Sequence, residues 1–359
     1  MMNVPDAIRP MEGAGAYNRS SRVQAAGLLP AVSLLEKAAH TAALAPAPEP
    51  IVIADYGSSE GRNSLLPMAH ALSALRARID RERAINVVHT DLPGNDFSAL
   101  FETLDTDPES YLKRDSASFA YAIGRSYFEQ LLPSNSVTLG WSSWAIQWLS
   151  RVPAMIPDQV QVAYSRDAGV REAFARQAAE DWSRFLVLRS RELRPGGQLV
   201  VLTMALDAEG RFGYAPVLDA LYATLCEMAE DGFVTADELR RMTIPTVGRS
   251  RQDLAAPFAD GGRFSSLRIA ELEVFSGEDR IWARFDASGD ARAFGAEWAR
   301  FSRASVFPSL AAALDRQGDG TRSTQFVDRL EAGLAARLTA APGRMEIPLA
   351  KLVLAKEAT

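Results

Sequence analysis

Residues 51–63, a β-branched apolar run ending at Asp55 followed by a turn bracketed by Gly57 and Gly61, constrain this chain most. A helical pattern then opens and runs over residues 64–83. Strand, tight loop and helix N-terminus in that order are where open α/β sheets bind nucleotide-like cofactors. The two glycines let backbone approach a ligand closely, and Asp55 can accept hydrogen bonds from an amine or from hydroxyls. The spacing is not the three-glycine dinucleotide fingerprint. An acid before the turn suits a cofactor carrying an amino group, such as S-adenosylmethionine (SAM). An ordinary strand–helix turn fits the same residues.

The surrounding pattern extends this reading. Residues 51–55, 85–91, 136–141 and 198–204 are short apolar runs, and helical patterns at 64–83, 95–104, 119–131 and 167–193 separate them. The alternation predicts a parallel sheet with helices on both faces, an α/β Rossmann-like core over 51–206. Ahead of it, 1–50 holds an irregular start, a helix over 20–44 with Ser20 or Ser21 as N-cap and Pro30 within it, and a proline-rich linker. A mainly helical cap with one strand near 265–275 is expected over 207–320. A helix and a final strand follow over 321–359.

Bulk properties exclude several classes. A net charge of −6 gives no basic footprint for nucleic acid or an anionic membrane. No apolar run is long enough to span a bilayer, and the start lacks a signal-peptide pattern. The single Cys226, expected as a packed thiol, rules out an intrachain disulfide and suits a reducing cytoplasm. His40, His70 and His89 show no metal-ligand spacing, so packing or surface roles are expected and no metal site is predicted.

Candidate site residues cluster where strands end. Asp91 closes the second strand, where a carboxylate holds ribose hydroxyls, although an Asp before Pro93 and Gly94 also initiates turns. Ser118 and Phe119 precede a helical pattern; they could bond and stack a purine, or Ser118 could cap that helix. Trp141, Trp144 and Trp148 fall within eight residues just past a strand. On a short helix Trp144 and Trp148 would share a face, as a pocket wall or as core packing. No nucleophile elbow, P-loop or Ser-His-Asp set is present, which fits a reaction needing little acid–base help.

Four segments together resemble the SABATH family, the salicylate, benzoate, jasmonate and xanthine methyltransferases. They run over residues 54–63, 91–97, 117–119 and 142–153, supported by 17–24 and by Arg194 to Gly197. The resemblance implies a SAM-dependent class I methyltransferase with a helical substrate cap, acting on a small carboxylic acid, with a homodimer common among relatives. It implies that Ser21, Asp55 and Asn63 hold the methionine end of SAM, with Tyr17 and Gly57 also binding the cofactor. Asp91 and Leu92 would bind its ribose, and Ser118 and Phe119 its adenine. Gln24 and Trp148 would orient the acceptor carboxylate as the catalytic pair, with Tyr17, Trp144 and Gln147 as neighbouring walls.

The departures bear on the substrate. Ser58 and Glu60 replace a cysteine and a glycine in the family's loop, and Trp141 and Trp144 replace a histidine and a tyrosine. Leu218 and Asp219 stand where a cap aromatic is expected; an Asp219 lining the pocket would repel a small aromatic acid. Tyr164 replaces an asparagine used near a structural metal. Methylation of a ring nitrogen or a phenol, or ligand binding without turnover, are the rival readings. A nicotinamide oxidoreductase is disfavoured by the missing fingerprint.

Overall fold

The computed structural model describes residues 22–315 and 320–358, with side chains from residue 28 onward. Tyr17 and Ser21 lie outside the described residues, as do the Ser20 cap and the side chain of Gln24. The chain begins with helix α1 (Arg22–Thr41), which keeps Pro30 inside it.

Strand β1 (Ile51–Tyr56) is buried on both faces, which is why its sequence is apolar without alternation. It leads into α2 (Arg62–Arg76), β2 (Ile85–Asp91), α3 (Phe97–Thr106) and the short α4 (Tyr111–Arg114). Strands β3 (Ser118–Gly124) and β4 (Val137–Ser143), the long helix α5 (Ala168–Glu192) and β5 (Leu193–Met204) complete the parallel part. Then come α6 (Ala215–Glu230), α7 (Ala236–Arg241), α8 (Arg251–Ala255) and β6 (Leu267–Ser276). Helices α9 (Arg280–Ser288), α10 (Ala291–Ser305), α11 (Phe307–Ala311) and α12 (Thr321–Ala340) precede the last strand, β7 (Pro348–Lys356).

The seven strands form one sheet in the order β3-β2-β1-β4-β5-β7-β6. Only β7 runs antiparallel, between β5 and β6. The order reverses between β1 and β4, so the loops leaving those two strands splay apart at their carboxyl ends and open a crevice. Helix α12 packs on both α6 and α10.

Two local expectations are corrected. Residues 119–131 do not form a helix: 118–124 are the edge strand β3, and Ser118 starts a strand rather than capping a helix. Phe119 and Tyr121 alternate with less exposed neighbours on its open side, the period of two that marks a strand. Trp144 and Trp148 are not on a helix either. Trp144 takes a left-handed φ of 55°, and Trp148 bridges to Thr246 in irregular backbone. Cys226 on α6 is half-buried rather than fully packed.

Candidate functional site

Two loops flank the crevice, one after β1 and one after β4. The first turns at Gly57 (φ 93°), Ser59 (φ 49°) and Gly61 (φ 87°), conformations that cost glycine least. The amides of Gly57 and Ser58 both donate to the Thr90 carbonyl at the end of β2, at 2.8 and 3.0 Å. The Ser58 and Ser59 hydroxyls are buried without a partner among the described residues. Buried hydroxyls are seldom left so, which marks this loop as a surface awaiting a polar ligand.

Asp91 is tied to the same loop. Its carboxylate accepts from the Ser59 amide at 2.8 Å and from the Leu92 amide at 2.7 Å. Burial outweighs those two donors and pushes the carboxyl up to about 6. Asp91 thus stands at the carboxyl end of β2 with its carboxylate oriented, as a ribose-binding acid must.

Asp55 plays a more internal part than the sequence implies. Its Oδ2 accepts from the Ser64 hydroxyl at 2.5 Å and from His89 Nδ1 at 2.8 Å, and all three residues are buried. His89 Nε2 is 2.9 Å from the Tyr111 hydroxyl. With Nδ1–H donating to Asp55, Nε2 is left to accept from Tyr111, whose phenol is raised by burial and by Asp55. The chain of bonds fixes the carboxylate at the head of α2, where Asn63 sits in the first turn. His89 is therefore a strand residue locked to Asp55, not a surface group.

Ser118 and Phe119 are not near this loop. In the β2–β3 register Ser118 lies opposite Ile85 and Gly124 opposite Asp91. Six residues of strand separate the two ends, roughly 20 Å at the usual rise. Phe119 is exposed at the far edge. A second hydroxyl–aromatic pair, Ser126 and Tyr127, follows directly after Gly124 on the correct side. The Tyr127 phenol is raised by burial and by the nearby Asp91 charge, and its hydroxyl donates to the Ala145 carbonyl at 2.8 Å. The sequence carries the pair twice; only the end of the strand tells which copy faces the crevice.

The loop after β4 is held by buried groups on three sides. Arg249 reaches the Ile146 carbonyl at 2.5 Å, and the Asp181 carboxylate accepts from the Ser150 amide and hydroxyl at 2.8 and 2.6 Å. The Val247 amide donates to the Gln147 carbonyl at 2.9 Å. Of the three tryptophans Trp141 is core, whereas Trp144 and Trp148 line a cavity of about 80 Å³. Gln147 also lines it, yet its amide is spent on the Trp144 carbonyl at 2.6 Å and the Thr203 hydroxyl at 3.3 Å. The Trp144 indole N–H is buried with no partner among the described residues.

Across the cavity stand Tyr214, Leu218 and, from α10, Phe301 and Ser302. Among the described residues that line it, none carries a charge. Asp219 is corrected: one residue past Leu218, a turn of ~100° along the helix, it is exposed and off the wall. Tyr164 donates to the Gly213 carbonyl at 2.6 Å. No cluster of metal-ligating side chains occurs among the described residues. Gln161, Tyr214, Thr246 and the α10 residues had no signal in the sequence, being brought in from distant segments.

Comparison with known proteins agrees with this geometry. A family profile described as SAM-dependent carboxyl methyltransferase matches residues 8–339. Methyltransferase LUC1 of a Fusarium species is 32% identical over 68% of this chain, which spans 65% of that protein's length. Salicylate carboxymethyltransferase of Clarkia breweri is 28% identical, covering 75% of each chain. A solved structure of loganic acid methyltransferase with SAH superposes with a TM-score of 0.76 over 97% of this chain and 99% of its own, at 20% identity. That likeness establishes the class I methyltransferase fold.

Proposed function

The chain belongs to the SAM-dependent carboxyl methyltransferases, and on that premise we propose that it methylates the carboxylate of a small, largely apolar monocarboxylic acid. The observation that carries the substrate class is the uncharged cavity with one unpaired indole N–H. When bound, SAM supplies a methyl group on a sulfonium, and the carboxylate oxygen takes it while the carbon–sulfur electron pair stays on sulfur, giving S-adenosylhomocysteine (SAH). A carboxylate is ionised at neutral pH, so no general base is required.

What the residues must do is position and desolvate. Asp91 and the Leu92 backbone hold the cofactor ribose, the Ser58–Ser59 turn its polar edge, and Ser126 and Tyr127 its base in place of Ser118 and Phe119. Asp55 and Asn63 face its amino-acid end, together with Tyr17 and Ser21. Trp148 and Gln24 orient the carboxylate. The Trp144 N–H is a further donor to the acid, able to bond an oxygen without the full charge of a lysine that would hold the carboxylate in a tight ion pair. Gln147 acts as a fixed wall, and Leu218 closes the apolar side. A second charged group on the acid would find no partner here, so dicarboxylic and amino acids are poor substrates.

A homodimer is carried over from the resemblance; Phe119 and Tyr121 on the open edge of β3 offer it an apolar surface, and light scattering tests it. The lone Cys226 suits a reducing, cytoplasmic setting, checked by localisation of a tagged protein. The activity itself is tested by following SAH release from SAM with benzoate-like and aliphatic monoacids. SAH without ester formation would contradict the acceptor, and no SAH would contradict the reaction.

A further inference from the structure

A second cavity, of about 270 Å³, lies behind the first, and Gln161 is on the wall of both. The partition between them is thin. Ile244 and Thr246 line the first cavity, whereas Val247 and Gly248 line the second. Neighbouring side chains of near-extended backbone point to opposite sides, so a single chain thickness separates the two spaces.

One side chain spans the partition. Gln161 Nε2 donates to Thr246 Oγ1 at 2.9 Å, and Gln161 Oε1 accepts from the Ala163 amide at 3.2 Å. Both Gln161 and Thr246 are buried. The backbone around them is pinned separately: the Ile244 amide donates to Val160 and the Val247 amide to Gln147, at 2.8 and 2.9 Å. Removing the glutamine side chain would therefore open the wall without dismantling the strands of backbone that carry it. Beyond lies a mixed lining, in which Val162, Phe174 and Trp182 form the apolar part and Arg171, Arg249 and Asp253 also stand on the wall, with the exposed Ala175 and Ala179 of α5 bordering it.

We propose that the Gln161–Thr246 hydrogen bond is the end-stop of the substrate cavity, and that the second cavity is a latent subsite for the apolar tail of a longer acid. The inference rests on the acid-methylating reading above. It assigns Gln161 a length-selecting role: short acids fit in front of it, and longer ones are rejected by its bulk and by the cost of breaking a buried bond.

The test is a series of para-alkylbenzoates from methyl to hexyl, assayed with the wild type and with Gln161→Ala. The ratio of kcat/KM for the longest acid to that for the shortest should rise by about tenfold or more, the scale on which a pocket wall discriminates methylenes. Adding Ala179→Phe, which plugs the outer mouth, should cancel the gain, whereas Ala179→Phe alone should leave turnover of the shortest acid unchanged. An unaltered length preference in Gln161→Ala, with turnover retained, overturns the proposal. If Gln161→Ala does not fold, Thr246→Val, which deletes only the acceptor, must shift the ratio in the same direction, and its failure to do so overturns the proposal equally. If the wild type methylates no acid, the reading beneath fails, and calorimetric binding of the same series to the SAH-bound protein reads the length limit on its own.

Discussion

Gly57 and Ala145 meet where the cofactor loop crosses the tryptophan loop, so closely that a methyl group built on Gly57 would lie 2.5 Å from the Ala145 Cβ. This is the seam between β1 and β4, where the strand order reverses. The loops after β1 and β4 are therefore one packed unit, not two independent supports.

Gly57→Ala tests that unit. The substitution adds a clash to a φ of 93°, and overpacking of this kind costs about 1–3 kcal/mol. A fall in Tm should accompany weaker binding of both SAH and acid. Loss of SAH affinity alone, with acid affinity intact, would show that the loops move independently.

Asp91 titrates in a usable range. A carboxylate accepts two hydroxyls, whereas its protonated form must donate one hydrogen itself. With the carboxyl raised to about 6, SAH affinity should fall as pH drops below that value, approaching about tenfold per pH unit. Asp91→Asn should weaken binding and flatten the profile. Stability of the free protein runs the opposite way. The folded chain holds this proton more tightly than the unfolded chain, so Asp91 contributes more stability as pH falls through about 6. Calorimetry across pH 5–8 reads both trends; a flat SAH profile in the wild type would remove Asp91 from the ribose site.

The proposed base-binding residues give a contrast between the two ends of β3. Tyr127→Ala should cost SAH affinity by at least about tenfold, on the scale of a lost stacking contact. Phe119→Ala, at the far end of β3, should change it by less than about twofold. The reverse ranking would restore the first assignment.

Much of this was legible in residues 51–63 and 91–97, because a buried strand, a glycine turn and a terminal acid are local features. The parallel alternation of strand and helix follows from such units. The β3 segment was not legible as a strand: its Ala120 and Ala122 resemble a helix, and only the burial pattern shows Phe119 and Tyr121 as alternating edge residues. The tryptophan loop failed for a different reason. Its shape is set by Arg249, Asp181 and the 244–247 segment, partners far away in sequence that no local periodicity reports.

Trp144 separates binding from stability. Trp144→Phe deletes an unpaired buried donor while keeping a flat apolar ring. The free protein should be as stable as the wild type or more so, by up to about 1–3 kcal/mol, because an unsatisfied group is removed. Its kcat/KM on acids should fall by roughly 10- to 100-fold if the N–H bonds the carboxylate. Unchanged kinetics would mean the indole is only a wall.

Methyl transfer to a carboxylate is tested by incubating the protein with methyl-labelled SAM and a set of apolar monocarboxylic acids and identifying the products by mass spectrometry. Labelled methyl esters should form in equal amount to SAH, with Trp148→Ala still binding SAH but forming no ester. Label on nitrogen or a phenol oxygen, or ester formation undiminished in Trp148→Ala, would contradict it.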